Sequence, residues 1–500
     1  MKIIAMYLPQ YHRTEENDMW WGEGFTDWVS TQKARPLFDN HVQPKKPLDK
    51  NYYDLLKKET MVWQCGLMKK YGIDGMCMYH YWFADGKQVL EKPIENLLHW
   101  KDIDMPFCLC WANETWARSW GNIKNSNMWS YVEEPVDKSG KQILLEQNYG
   151  GTTEWLKHIE YLIQCFKDKR YIRIDDKPVL IIYKPGLIVE LKKMISVWQH
   201  YLEKNGIKGI YIIGSNAPSV CENIVDGILF HEPALSLEAT SAQRDKTGIL
   251  KYNYTELWEN ILKNFNSSNV KTYYSGVVNF DDTPRRGEKG VVIEGGTPEL
   301  FEKYLEKLLK KNQVVGNDIT FINAWNEWGE GMYLEPDTNY GYEYLEAVKN
   351  AKSNYYKLDY DFEPDFRHWL NITKRKCNIN EININILDSW MALGEKKITI
   401  YQWFEKNKIN EYAIYGYSLL AKHLKFQLDG SNVKLKYIID QNKNVCSDID
   451  VYSPNDVLPE IAIIVVCTPF YYGNVREMLE GKMVKKIISI ETIIDELDKI

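Results

Sequence analysis

No apolar run in these 500 residues approaches the length of a membrane-spanning helix. A signal-peptide pattern is missing as well: the opening MKIIAMYLPQYH has one lysine and a short apolar run that meets Pro9 at once. A cytoplasmic location is the expectation. The sequence also lacks a basic face. Its formal net charge is −7, its pI is about 5.9, and no long Lys/Arg tract occurs, which argues against nucleic acid as a partner. A disulfide framework is equally foreign to it. Nine cysteines is an odd number, and Cys77, Cys108, Cys110 and Cys467 lie in apolar segments that suit reduced, buried thiols. Cys108-Leu109-Cys110 alternates along a strand without metal-ligand spacing. No short-period repeat is present, which argues against a solenoid.

Aromatic residues, by contrast, are abundant. The chain has 18 Trp and 34 Tyr, and all but Trp390 and Trp403 of the tryptophans fall at or before Trp369. Aromatic faces stack on the C–H faces of sugars and also fill cores, so this enrichment tilts the reading toward carbohydrate only modestly.

Strand-like runs alternate with amphipathic helical segments. The predicted strands are Ile3–Leu8, Gly75–Tyr81, Pro106–Trp111, Val179–Tyr183, Gly209–Gly214, Gly227–His231, Thr272–Asn279 and Ile319–Trp325. Predicted helices cover Tyr53–Tyr71, Glu154–Lys167, Val189–Lys204, Glu256–Asn264, Pro298–Lys311 and Tyr340–Tyr356. Eight strands, most followed by a helix, place the chain in the α/β class as a (β/α)8 TIM barrel over residues 1–358.

Active sites of such barrels lie at the C-terminal ends of the strands. Those ends carry Tyr7, Gln10 and His12, then Tyr79, His80 and Trp82, then Trp111, Asn113, Glu114 and Trp116. Later ends carry Glu232 and Asp281, and the loop after the first strand brings Trp20 and Trp21 as a candidate aromatic wall. The last strand runs into Asn326-Glu327-Trp328-Gly329-Glu330-Gly331, with Glu335 just beyond. Two carboxylates three residues apart at a strand end are equipment for glycoside chemistry, so Glu327 and Glu330 are the candidate catalytic pair. The other residues named are candidate substrate contacts. Arg285-Arg286 is the one candidate in the barrel for holding a diphosphate, and an equally good reading makes it a solvated turn.

The motifs YLPQYH, WWGEGFTDW, MYHYWF, CWANETW and WNEWGEG…LEP together resemble the WbsX-like proteins encoded with bacterial surface-polysaccharide genes. These are related to glycoside hydrolase family 99, the endo-α-mannosidases and endo-α-mannanases. The resemblance covers roughly residues 1 to 355 and implies the same barrel. It further implies a retaining enzyme without metal or cofactor. In that chemistry the acid at Glu327 acts as base on the sugar 2-hydroxyl, giving a 1,2-anhydro intermediate. The acid at Glu330 protonates the departing oxygen and later activates water. The family 99 motif commonly has His where this chain has Gly329.

After about residue 360 the composition changes, and residues 359–388 read as a linker. Residues 389–500 read as a smaller Rossmann-like module: helix Trp390–Asn407, strand Tyr412–Gly416, helix Leu419–Leu428, strand Lys434–Asp440, strand Ile461–Thr468, helix Asn474–Leu479 and strand Lys486–Ile490. Of a G-x-G-x-x-G turn only Gly416 survives, with Ser418 and Ala421 at the other two positions, and Asp440 ends the second strand. The module is therefore expected to be structural or to dock partners, with other polysaccharide-assembly proteins as the expected ones.

The expected substrate is an α-linked glycan of surface polysaccharide, such as O-antigen lipopolysaccharide or capsule, and hydrolysis is the first reading. Glycosyl transfer by the same barrel and catalytically silent glycan binding are the alternatives.

Overall fold

The computed structural model describes every residue except 84–85, 119–141, 217–223, 245–247, 267–269, 360–381, 441–447, 455, 480–485 and 500. It divides into two compact units, Met1–Trp369 and Leu370–Ile500.

The first unit is built on eight parallel strands: β1 (Lys2–Tyr7), β2 (Gly75–Trp82), β3 (Phe107–Trp111), β4 (Lys177–Ile182), β5 (Tyr211–Ser215), β6 (Gly227–Phe230), β7 (Lys271–Val277) and β8 (Ile319–Asn323). Each pairs with its neighbours in chain order, and β1 closes the circle by pairing with both β2 and β8. Lys2 stands opposite Ile319, and Ile4 opposite Gly75. This is the (β/α)8 barrel that the alternating pattern predicts.

Helices α1 (Lys58–Lys70), α2 (Lys92–His99), α3 (Thr152–Phe166), α4 (Leu191–Lys204), α5 (Tyr254–Lys263), α6 (Pro298–Val314) and α7 (Glu343–Asn354) follow every strand but β5, whose connection to β6 includes residues outside the described ones. Strands enclosed on both faces cannot alternate apolar with polar, and β2 is buried at every position. Local chemistry sets the helix starts. The Thr297 hydroxyl accepts from the Leu300 N–H, and Pro298 opens α6 where its missing N–H costs nothing. Helix α1 begins at Lys58 rather than Tyr53 because the Leu55 N–H is committed to the Tyr11 carbonyl and the Leu56 N–H to the Asp54 side chain.

In the second unit, parallel strands β9 (Glu411–Tyr415), β10 (Lys434–Ile439), β11 (Val451–Tyr452), β12 (Ile464–Val466) and β13 (Ile487–Ser489) lie in the order β11-β10-β9-β12-β13. That 3-2-1-4-5 order is Rossmann-like. The helix expected over Trp390–Asn407 is instead two: residues 382–395 are helical, and a second helix spans Ile400–Lys406. The break has a cause. Lys397 adopts a left-handed conformation at φ 61°, and Thr399 then caps the next helix in a reciprocal box with Gln402. Ile386 and Trp390 join the core of this unit, so the last part of the stretch read as a linker is packed structure, while 360–381 fall outside the described residues.

Candidate active site

The chain leaving β8 reverses on itself. Asn326–Glu327 pairs antiparallel with Met332–Tyr333 around a tight turn at Trp328–Glu330, which folds the two acids toward each other. The turn is pinned to the first strand: Asn326 Oδ1 accepts from the Leu8 N–H at 2.8 Å, and Asn326 Nδ2 donates to the Leu8 carbonyl at 3.0 Å.

Glu327 and Glu330 meet at Arg285, which the short helix Thr283–Arg286 after β7 delivers. Arg285 Nη2 donates to Glu327 Oε2 at 3.0 Å, and Nη1 to Glu330 Oε1 at 2.5 Å. The guanidinium's other edge is taken by Asp27, with Nε to Oδ1 at 3.1 Å and Nη2 to Oδ2 at 2.9 Å. One guanidinium thus serves three carboxylates, and it is 8% exposed. Glu330 Oε2 is buried and has no hydrogen-bond partner.

Burial raises the pKa of both Glu327 and Glu330 above the ordinary carboxylate value. Arg285 opposes the rise at each, and Glu327 adds to it at Glu330. Two carboxyls that share a cation and differ in their free oxygens are suited to hold one proton between them near neutral pH.

These groups floor an open cleft. Gln10, Trp21, Tyr79, Glu114 and Trp116 line it, as expected from their places at the strand ends and in the first loop. So do Phe25, Asp27, Ser30, Tyr81, Ala112, Tyr183 and Met332, which were not singled out from the sequence, and Arg285, which was read there as a diphosphate ligand or a solvated turn. Burial also raises the Glu114 carboxyl, while Lys184, 3.9 Å away, opposes the shift.

Other expected contacts lie outside this lining, each for a visible reason. On β2, Tyr79 and Tyr81 face the cleft, so the alternation sends His80 and Trp82 to the outer side. There His80 Nε2 meets His158 Nε2 of α3 at 3.0 Å, and Trp82 stacks on His158 with centroids 4.6 Å apart. Trp111 packs edge-on against the same histidine. Burial lowers the His80 pKa to about 3, which makes it a neutral core residue.

Tyr7 donates to Gln64 at 2.7 Å inside the core, and His12 is buried at 2% exposure. Trp20 packs edge-on against Trp116 instead of facing the cleft. Asn113 braces β3 to the chain after β4, accepting from the Lys184 N–H and donating to the Lys184 carbonyl. Glu232 caps the following turn through Ser236 and is held by Asn264. Asp281 ties its loop to the first one through His41 at 2.9 Å and Gln43 at 2.7 Å. Trp328 stacks on Tyr333 beneath the acids, with centroids 3.8 Å apart. Glu335 receives the Trp328 indole, Gln64 and Tyr53. These residues build the frame that holds the acids.

Arg285 is neither of its two sequence readings. It is buried, and it faces carboxylates rather than a phosphate site. The signal that could have found it was its position just past a strand end; its Asp27 partner lies 258 residues away. Among the described residues no group of His, Cys, Asp and Glu is arranged to hold a metal ion, and none of the helices is long and apolar enough to cross a membrane.

In the second unit, the Asp440 carboxylate accepts from the Tyr417 N–H at 2.9 Å, and the Ser418 hydroxyl donates to the Cys467 carbonyl at 2.6 Å. A side chain at Gly416 would lie 2.5 Å from Thr468.

The family described as "Glycosyltransferase WbsX" matches residues 3–348. Proteins named WxcX and described as uncharacterized, from two strains of Xanthomonas campestris pv. campestris, are 33% identical over 359 residues. That match covers 70% of this chain and 49% of each relative, so the chain spans about half the length of the curated relatives it matches. Among solved structures, an endo-α-mannosidase of glycoside hydrolase family 99 from Bacteroides thetaiotaomicron is 14% identical with a TM-score of 0.46, covering 71% of this chain and 97% of that one. A glycoside hydrolase-like protein is 11% identical with a TM-score of 0.45, covering 70% of this chain and 93% of that one.

Proposed function

The chain belongs to the WbsX family, and from that premise we propose that its barrel is a carbohydrate-active enzyme that hydrolyses an α-linked glycan with retention, using Glu327 and Glu330. The observation that carries the reading is the pair of buried carboxyls, each bonded to a terminal nitrogen of Arg285 at the floor of an aromatic-lined cleft.

The chemistry we assign is the one that the motif resemblance implies. Glu327, bound to Arg285 through Oε2, is the ionised member and takes the proton from the sugar 2-hydroxyl. The freed oxygen attacks C1 as the bond from C1 to the leaving oxygen breaks. That oxygen takes its proton from Glu330, whose Oε2 is the oxygen without a partner. Glu330, now ionised, draws a proton from water as the water attacks C1, and Glu327 returns its proton to O2. Two inversions give net retention, as the motif resemblance implies. Trp21, Phe25 and Trp116 offer faces to sugar rings along the cleft, and Gln10, Tyr79 and Tyr81 offer polar groups to hydroxyls.

The substrate we propose is a surface polysaccharide in its lipid-linked or nascent form, the class that the resemblance associates with these genes. Glycosyl transfer is the second reading, favoured by the family's own description. The geometry weighs against a nucleotide-sugar donor. Arg285 is engaged by three carboxylates, and Arg286 pairs with Asp282 at 3.1 Å, so neither is aimed at a diphosphate.

The test is turnover of glycans made by the proteins encoded beside this one, with and without nucleotide sugars, in wild type, Glu327→Gln and Glu330→Gln. Release without a donor, lost in both variants, supports hydrolysis. Strict dependence on a nucleotide sugar overturns it in favour of transfer. Binding without turnover makes the barrel a glycan-binding module.

A further inference from the structure

Gly329 lies between the two acids, and what surrounds it is a second pair of charges. A Cβ built there would lie 2.6 Å from Arg285 Nε and 2.7 and 2.8 Å from the two Asp27 carboxylate oxygens, closer than real atoms approach. Any side chain at this position would push the Asp27–Arg285 pair away. The Gly329 N–H instead donates to Asp27 Oδ2 at 3.1 Å, and the Tyr11 hydroxyl reaches the same oxygen at 3.2 Å. Asp27 is therefore fixed from the backbone of the acid turn itself, and it grips Arg285 by the Nε edge in a two-point fork. That leaves Nη1 for Glu330 and the rest of Nη2 for Glu327. Glu330 Oε1 faces a cation and is a poor place for a proton. Oε2, buried and unpartnered, is the place that remains.

We propose that Asp27 and Arg285, admitted by the absence of a side chain at Gly329, are positioning residues that fix the pair's single proton on Oε2 of Glu330 and keep Glu327 ionised. The proposal rests on the reading of Glu327 and Glu330 as the acid pair. It assigns no contact with substrate to Asp27 or Arg285. The mechanism is electrostatic and geometric: a cation held within hydrogen-bond reach of two carboxyls favours ionisation of one and orients the other.

The experiment counts protons without substrate, so it does not depend on the reaction assigned to the site. Infrared spectra of the full chain are titrated with pH, and protonated-carboxyl bands are followed as differences between wild type and each variant, because burial also raises Glu232 and Glu335. In otherwise wild-type protein, one such band disappears in Glu330→Gln and persists in Glu327→Gln. In Arg285→Gln the second carboxyl takes up a proton, and the titration of the pair moves upward by about one pH unit or more. Arg285→Lys keeps the charge but loses the two-point fork to Asp27, so its titration moves less than that of Arg285→Gln. If Arg285→Gln does not fold, Gly329→Ala is the substitute, since its methyl group displaces the fork and is expected to shift the titration the same way. Loss of the band in Glu327→Gln instead, or an unmoved titration in a folded Arg285→Gln or Gly329→Ala protein, overturns the proposal. Wild-type proton positions with no turnover on any glycan would leave the positioning role standing and sink the hydrolase reading.

Discussion

Both units end parallel strands in loops where α/β proteins bind ligands, yet the two sets of loops differ in what they leave unfinished. In the barrel, Glu330 keeps an oxygen without a partner, and an open cleft lies beside it. In the second unit, the Asp440 carboxylate accepts from the Tyr417 N–H at the turn where a pyrophosphate would sit, Ser418 is spent on the Cys467 carbonyl, and Thr468 crowds Gly416. Topology offers a place for a ligand in each. Among the described residues, the unmet capacity in the barrel is that of a carboxylate oxygen beside an open cleft, whereas in the second unit it is that of the Thr468 hydroxyl, packed against Gly416 where a ligand would need room.

The sharpest way to break this contrast is to remove the capacity. Glu330→Gln and Glu327→Gln each lower kcat by about 10²- to 10⁴-fold in a steady-state assay, with the glycan still bound. Retained turnover in either would erase the distinction between the units. Next in size is pH. Burial raises both acids, so the limb governed by Glu327 ionising and the limb governed by Glu330 losing its proton both lie alkaline of ordinary carboxylates. The profile of kcat/KM is expected to be a bell whose acid limb lies above the usual carboxylate range, with activity lost as pH falls through it. A limb at the unperturbed value would show that the pair is solvated.

Smaller is the effect of Trp21→Ala, which removes an aromatic wall of the cleft. A loss of about 0.5–1.5 kcal/mol in binding raises KM roughly 2- to 12-fold while kcat holds. The smallest effect is expected in the second unit. Asp440→Ala leaves turnover unchanged and lowers stability by about 1 kcal/mol in a denaturant melt, because the Tyr417 N–H loses its acceptor. Calorimetry with NAD or UDP is expected to show no binding there, and a measurable affinity abolished by Asp440→Ala would dissolve the comparison.

The eight barrel strands are legible in the sequence because a strand enclosed on both faces must be an unbroken apolar run, and helical periodicity separates such runs. The short β11 is not, since two residues carry no period. The acid pair is legible because both members and their turn are local. His80 and Trp82 are misplaced by reading a strand end as a block: the two-residue alternation assigns Tyr79 and Tyr81 to one face and His80 and Trp82 to the other. Asp27 and Arg285 escape for a different reason. Asp27 looks like an ordinary loop charge and Arg285 reads as a phosphate ligand or a solvated turn, and only the closed barrel brings them together.

The staple between Asn326 and Leu8 also governs when the protein can act during its own synthesis. Those two residues lie 318 positions apart, and this anchor of the acid turn does not exist until they meet. A ribosome must emit the last barrel strand before any nascent chain can present both acids on a fixed support. A chain that stops before Asn326 carries neither acid and leaves Leu8 without its partner.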